Sequence, residues 1–283
     1  MSQAIARKEA PLQQVPDHPL EDLIRSDRIP HIWCPGCGIG TAFAATLAAM
    51  KASGQDLSST CMVSGIGCSG RAAGYVKLDS FHTTHGRAIP FATGLKLGNP
   101  RLNVVVFSGD GDLFAIGGNH FIHAARRNIP LTVICLNNLN YGMTGGQVAA
   151  TTPYLARTTT TPAGNTEAPF NLPLLAWAAG ASFVARWTIL HIRELTDCIQ
   201  KAMLKNGFAF IEVLGPCPIN YGRRNKEKPL QTLKLYQEQT IIRNQADPSD
   251  LEIDFSKKVV LGEFVDKERS TCIENYDKTC RLL

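Results

Sequence analysis

The 283-residue chain has no apolar run approaching the length of a membrane-spanning helix. Its first thirty residues, Met1–Pro30, are polar, carry Pro11, Pro16, Pro19 and Pro30, and lack the apolar stretch of a secretory leader. A cytoplasmic protein without a membrane partner is the expectation. There is no block of Lys or Arg, and a formal net charge of +5 is a mild excess. Nucleic-acid binding is therefore not indicated, although a basic face can dock an acidic protein. No internal repeat is visible. The phosphate-loop pattern G-x-x-x-x-G-K-[ST] does not occur. Gly65-Ile66-Gly67-Cys68-Ser69-Gly70 fits the dinucleotide pattern G-x-G-x-x-G, but no Asp or Glu stands between Asp79 and Asp110, so the acidic residue that should follow about 20 positions on is missing. The cysteine count, nine, is odd. Without a secretion signal a disulfide framework is not expected, and a grouped subset of thiols points to metal or cluster ligation.

What is present is ordinary globular material. Hydrophobic residues make up 44% of the chain, enough for a core. Residues 1–30 read as an extended arm, because Pro-rich polar sequence cannot bury enough surface to fold alone. The compact part starts near His31. Helical spacing or composition predicts helices over 39–53, 88–97, 119–127, 172–179 and 190–205. Apolar β-branched runs predict strands over 59–64, 103–107, 131–136, 182–186 and 208–214, of the kind buried on both faces. This alternation predicts an α/β domain with a parallel sheet over 31–218. Residues 140–169, rich in Thr, Gly and Pro, form a loop long enough to expect a function. Residues 219–283 are polar and irregular, and read as a C-terminal extension that contacts a partner.

Four cysteines fall in loops. Trp33-Cys34-Pro35-Gly36-Cys37-Gly38 holds a C-x-x-C; Cys68 lies in the Gly-rich loop after the first strand; Gly215-Pro216-Cys217-Pro218 follows the last. A thioredoxin-type redox pair needs only the first two. Two plus one plus one gives four thiolates, which suits either a 4Fe–4S cluster or a four-cysteine zinc site, and spacing leaves both open. Glycines around Cys68 allow backbone N–H groups to approach cluster sulfurs. Cys61, Cys135 and Cys198 fall within predicted strands or a helix and read as buried hydrophobes. Cys272 and Cys280 carry no reading.

A second constellation concerns oxygen ligands. Gly109-Asp110-Gly111-Asp112 follows one predicted strand and Asn137-Asn138 the next, so both should sit at carboxyl ends of neighbouring parallel strands, where such sheets bind ligands. A hard divalent cation takes carboxylate, amide and carbonyl oxygens together with phosphate oxygens. Gly111 and the following helix N-terminus offer N–H groups to the anion. The GDGD alone is more simply a capped turn; with NN one strand–helix–strand unit later it points to thiamine diphosphate. His82-Thr83-Thr84-His85-Gly86-Arg87 groups two histidines and an arginine that suit phosphate or carboxylate, with His82 the less suited of the two.

Together, WCPGCG, SGIGCSG, HTTHGR, GDGDLFAIGGNHFIHAARRN, NNLNYGMTGGQ and GPCP, in that order over residues 31–217, resemble the β subunits of 2-oxoacid:ferredoxin oxidoreductases. The resemblance implies a diphosphate-binding domain of the thiamine-diphosphate-binding fold, and ligation of one 4Fe–4S cluster by Cys34, Cys37, Cys68 and Cys217. It implies Mg²⁺ held by Asp110, Asn138 and the carbonyl of Asn140. It implies cofactor contacts from Ile66, Gly67, Cys68, Ser69, His85, Gly111, Asp112, Gly142, Met143 and Thr144. It implies oxidative decarboxylation of a 2-oxoacid to its acyl-CoA, or the reverse, with electrons leaving through the cluster to ferredoxin. The glutamate that activates thiamine in this fold belongs to a second domain, so an obligate α subunit is expected, giving αβ or (αβ)₂. The YGMTGGQ loop resembles 2-oxoglutarate enzymes, whereas broader relatives carry Lys where Gly145 stands. Arg71, Arg87 and His85 are the candidates for substrate contact and catalysis. Competing readings are a pyruvate or broad 2-oxoacid enzyme, a non-redox thiamine-dependent decarboxylase subunit with structural zinc, and a binding module stapled by a four-cysteine site.

Overall fold

The computed structural model describes residues 18–281. Five helices and five strands fall where the pattern predicts them: α1 (Ile39–Ala52), β1 (Thr60–Ser64), α2 (Ala88–Gly98), β3 (Asn103–Gly109), α3 (Gly118–Arg126), β4 (Leu131–Asn137), α4 (Leu172–Ala178), β5 (Phe183–Thr188), α5 (Ile192–Leu204) and β6 (Phe208–Leu214). A further strand, β2 (Asp79–His82), pairs with β1 at the sheet edge. It escapes the sequence pattern because an edge strand that is half exposed needs no apolar run. The sheet order is β2-β1-β3-β4-β6-β5, and every pairing among these six is parallel.

Alternate residues of the central strands feed two cores. Phe107, Ile134, Ile211 and Val213 pack under α1 and α5. Val106, Val133, Phe208 and Phe210 pack against α2, α3 and α4. A strand covered on both faces must be apolar throughout, which is why these runs are so continuous. After β3 the chain does not enter α3 at once. A six-residue π-helical turn, Gly111–Ile116, intervenes, and its Phe114 lies 4.4 Å from the Phe121 ring and 5.3 Å from that of Phe210. This aromatic cluster fixes the turn that carries Asp112.

The two flanks differ from the sequence pattern. Residues 18–30 pack on the domain: Leu20 and Leu23 are buried with α1, and Ile24 bridges to Val76. The rest of the arm, residues 1–17, lies outside the described residues. Beyond 218 the chain is regular. Helix α6 (Pro229–Glu238) leads into β7 (Thr240–Ile242) and β8 (Val259–Asp266), and α7 (Cys272–Cys280) closes the described segment. β8 pairs antiparallel with β5 and β7 parallel with β8, making one sheet of eight strands. The polar look of residues 219–258 hides this, because one short apolar run, Val259–Val265, is all that a sheet already in place needs in order to add a strand. No helix among the described residues is long and apolar enough to cross a membrane.

Candidate functional site

The carboxyl ends of β1, β3, β4 and β6 point the same way, and their four following loops carry Cys68, Asp110, Asn138 and Cys217. Cys34 and Cys37 come to the same edge ahead of α1, in a turn closed by the Cys37 N–H on the Cys34 carbonyl at 3.2 Å. Gly38 permits this approach: its φ is +77°, and a Cβ there would collide with Ile189. The indole N–H of Trp33 donates to the Cys68 carbonyl at 2.7 Å and ties the two thiol-bearing segments together. A Cβ placed on Gly142 would lie 3.5 Å from the Cys217 sulfur and 3.6 Å from that of Cys68.

The four thiols are electrostatic neighbours. Burial pushes Cys68 up to about 11, and the other three cysteines add to the rise. Cys37 is raised by burial first, then by Cys34 and Cys217. A cationic centre reverses this, since thiolates are stabilised by metal. Among the described residues no three His, Cys, Asp or Glu side chains converge as ligands of a single metal ion. All nine cysteines are free thiols, and Cys61, Cys135 and Cys198 are buried.

Gly142 and Cys68 also line a pocket of ≈ 170 Å³. The predicted cofactor contacts all line it: Ile66–Ser69 from the loop after β1, His85, Gly111 and Asp112 after β3, and Gly142–Thr144 after β4. Asp110, Asn138 and Asn140 line it too. Asp110 is 2% exposed and forms no ion pair among the described residues, and burial pushes its pKa up to about 7, partly opposed by hydrogen bonds from the Thr151 hydroxyl and the N–H groups of Gly111 and Asn138. The amide oxygen of Asn138 and both amide atoms of Asn140 are buried without a hydrogen-bond partner. Leaving a buried polar group unpaired costs ~1–3 kcal/mol, so such a cluster is one that a ligand completes. A buried carboxylate with unpartnered amide oxygens is a donor set for a hard divalent cation. Gly111 is required next to it, because a Cβ would enter the ring of Tyr141.

Asp112 plays a different part from Asp110. Its carboxylate accepts from the N–H groups of Ile66 (3.2 Å) and Gly86 (2.8 Å), from His85 Nδ1 (2.7 Å) and from the Ser108 hydroxyl (2.9 Å). It is a clasp between two loops, with no oxygen left over. A carboxylate partner requires the proton on Nδ1 of His85, which leaves Nε2 as the nitrogen available to a ligand.

Two predicted residues stay outside the pocket. Arg71 is exposed on the short 3₁₀ turn Ser69–Gly74, whose other side, with Ala72 and Ala73, is buried. Arg87 precedes α2, and its guanidinium folds back to the Gly86 carbonyl at 3.3 Å. His82 is exposed at the end of β2. Sequence reasoning missed Tyr141 and Gly109 in the lining and Thr151 on Asp110. Tyr141 sat inside a motif already singled out; Thr151 had no spacing signal in its Thr-rich loop.

Near the thiols the surface is basic. The Asn225 side chain bonds both ways with the Arg157 backbone, at 2.8 and 3.0 Å. This brings Arg157 beside Arg223, Arg224 and Lys226, all exposed. Lys228 is exposed just before Pro229, whose Cβ is 3.5 Å from the Cβ position of Gly36. None of these five cations has an ion-pair partner among the described residues. Cys34 is exposed as well.

The family model for the C-terminal thiamine-pyrophosphate-binding domain of thiamine pyrophosphate enzymes matches residues 65–213, the stretch that builds the pocket. The fold is thus that of a thiamine pyrophosphate enzyme, and the pocket lies within the matched stretch. The chain is 52% identical to the 2-oxoglutarate synthase subunit KorB of Methanothermobacter marburgensis over 259 residues, 90% of each chain. It is 51% identical to the KorB subunit of Methanocaldococcus jannaschii over 268 residues, 94% of this chain and 98% of that one. A solved 2-oxoglutarate:ferredoxin oxidoreductase from Magnetococcus marinus, with 2-oxoglutarate, coenzyme A and succinyl-CoA bound, superposes with a TM-score of 0.84 at 30% identity, covering 95% of this chain and 92% of that one. The chain belongs to the family of 2-oxoacid:ferredoxin oxidoreductase β subunits, alongside the KorB subunits of 2-oxoglutarate synthases.

Proposed function

We propose that the chain is the β subunit of a 2-oxoglutarate:ferredoxin oxidoreductase, which converts 2-oxoglutarate and CoA to succinyl-CoA and CO₂, reversibly, with ferredoxin taking the electrons. The observation that carries it is that two donor sets share one edge of the sheet. A buried carboxylate with orphaned amides lines the same pocket as Cys68, and Cys68 is one of four neighbouring thiols. Asp110, the Asn138 amide and the Asn140 carbonyl would hold Mg²⁺. Ile66–Ser69, Gly111 and Gly142–Thr144 would line the cofactor, and Asp112 would act by holding the loops that do so. When bound, thiamine diphosphate supplies an electron sink for loss of CO₂. His85, its Nδ1 held by Asp112, offers Nε2 to the pocket to position a proton. Arg71 and Arg87 have no role in this proposal.

Cys34, Cys37, Cys68 and Cys217 would ligate one 4Fe–4S cluster. Four thiols that are mutual neighbours beside a cofactor pocket suit a redox cluster. The unpaired cations at Arg157, Arg223, Arg224, Lys226 and Lys228 support an acidic carrier as the acceptor. The α subunit would complete the pocket, with 219–283 as the partner-contacting extension of the 31–218 domain and 1–30 as its arm. Nine free thiols support a reducing compartment such as the cytoplasm.

The test is a substrate panel on the anaerobically purified αβ complex: 2-oxoglutarate, pyruvate and branched 2-oxoacids with CoA and ferredoxin. Ferredoxin reduction fastest with 2-oxoglutarate supports the reading. Preference for pyruvate moves the chain to the broad-specificity branch, and aldehyde release without an acceptor makes it a non-redox decarboxylase.

A further inference from the structure

Arg186 on β5 and Glu212 on β6 are lone charges in apolar strands, register partners, and both 0% exposed. Arg186 Nε donates to Glu212 Oε2 at 2.6 Å, Nη1 lies 3.5 Å from the Val260 carbonyl on β8, and Nη2 has no partner. Such a pair is a poor device for stability. Desolvating two charges offsets their attraction, and apolar residues of similar volume often serve as well.

The other oxygen of Glu212 leads to the pocket. Oε1 accepts from the Asn137 amide N–H at 2.7 Å. The Asn137 amide oxygen accepts from the Leu139 N–H at 3.1 Å, and Leu139 has φ +65°, a region that residues other than glycine rarely take. The Thr152 hydroxyl donates to the Leu139 carbonyl at 2.7 Å. Leu139 stands between Asn138 and Asn140, whose amide atoms are the orphaned ones at the pocket. With Asn137 and Leu139 held inward, Asn138 and Asn140 are left facing the pocket.

We propose that Arg186, Glu212 and Asn137 form a positioning relay for the cation site. Arg186 fixes Glu212, Glu212 fixes the Asn137 side chain, and Asn137 keeps Leu139 left-handed, so that Asn138 and Asn140 present their oxygens together. The relay rests on the cation-and-diphosphate reading of the pocket. None of its three members lines the pocket, and each acts through Leu139. It also gives β8 a part in the site, through the Val260 carbonyl.

The experiment titrates Mn²⁺ by electron paramagnetic resonance into the full αβ complex with thiamine diphosphate present, and records the melting temperature of each metal-free variant. Arg186→Met with Glu212→Leu removes both charges and the acceptor for Asn137. Arg186→Met with Glu212→Gln removes the charges and keeps an acceptor. Asn137→Ala cuts the relay and leaves the ion pair in place. We expect Mn²⁺ affinity to fall at least tenfold in the double variant with Glu212→Leu and in Asn137→Ala, and to stay within about threefold in the double variant with Glu212→Gln, an outer-shell effect of ordinary size. Equal affinity in all three variants and the parent overturns the relay, as does equal loss in the two double variants. If the double variant with Glu212→Leu does not assemble, Asn137→Ala decides. A parent complex that binds no Mn²⁺ sinks the function proposal itself, and the relay with it.

Discussion

Two donor sets meet at Gly142, and they are built on opposite principles. The proposed cation side comes from the ends of two adjacent central strands, β3 and β4, and most of its donors are buried: Asp110 and Asn140 are 2% and 3% exposed. The hydrogen bonds around Leu139 hold the segment that carries its unpaired groups. The thiol side draws on the turn before α1, the loop after β1 and the loop after β6, and one of its members, Cys34, is exposed. Rigid strand ends suit chemistry that needs preorganised charge. An exposed corner suits a group whose task is to hand electrons outward. On the proposed reading, the chain buries the donors of its cation end and leaves one thiol of its redox end exposed.

That contrast can be broken from either side. The largest effect is expected at the cation side. Asp110→Ala should lower thiamine-diphosphate affinity and turnover at least ~100-fold, beyond the range of outer-shell substitutions, measured by calorimetry with Mg²⁺ and by ferredoxin reduction. Chelation of Mg²⁺ from the parent complex should do the same and be reversed by adding it back. Next comes Cys34→Ser, chosen because Cys34 does not line the pocket. Iron content and ferredoxin reduction should fall ~10-fold or more, while thiamine-diphosphate affinity stays put. A parallel loss of both would join the two sides into one unit.

A smaller effect belongs to the basic surface. Reversing Arg223, Arg224 and Lys226 to Glu should slow ferredoxin reduction ~10-fold at low ionic strength, with most of the difference gone at high salt. Reduction of a small neutral dye should be untouched. If the rate drops equally at all salt concentrations, or the α subunit no longer assembles, the patch serves another contact. The smallest effect is expected for Arg71→Ala and Arg87→Ala, each within about twofold of the parent, as for surface substitutions generally.

The sequence made the proposed ligand residues legible because the chemistry proposed for them demands fixed types at fixed places. Asp110 and Asn138 follow adjacent strands, and the four loop cysteines come to one edge of the sheet. The strands β3, β4 and β6 were equally legible, since burial on both faces forces an unbroken apolar run. Asp112 lines the pocket, but its carboxylate is engaged by the segments around it: spacing shows position, not which donors a carboxylate will satisfy. β2 and β8 were hidden, one by being an exposed edge and the other by following a polar stretch. The relay was visible in principle. Glu212 in Phe208–Leu214 and Arg186 in Phe183–Thr188 are each a single charge inside a buried strand, and two such charges must meet. Their strands being neighbours is a tertiary fact that no local pattern carries. Thr151, on an irregular loop, left no trace at all.

The central claim is that one chain holds both thiamine diphosphate and a redox cluster. It is tested most directly by metal and sulfide analysis of the anaerobic αβ complex, followed by electron paramagnetic resonance before and after 2-oxoglutarate with CoA. The account predicts about four iron and four sulfide assignable to Cys34, Cys37, Cys68 and Cys217, and a reduced-cluster signal that appears with substrate and is lost in Cys34→Ser. Stoichiometric zinc, no iron in this chain and no signal would contradict it.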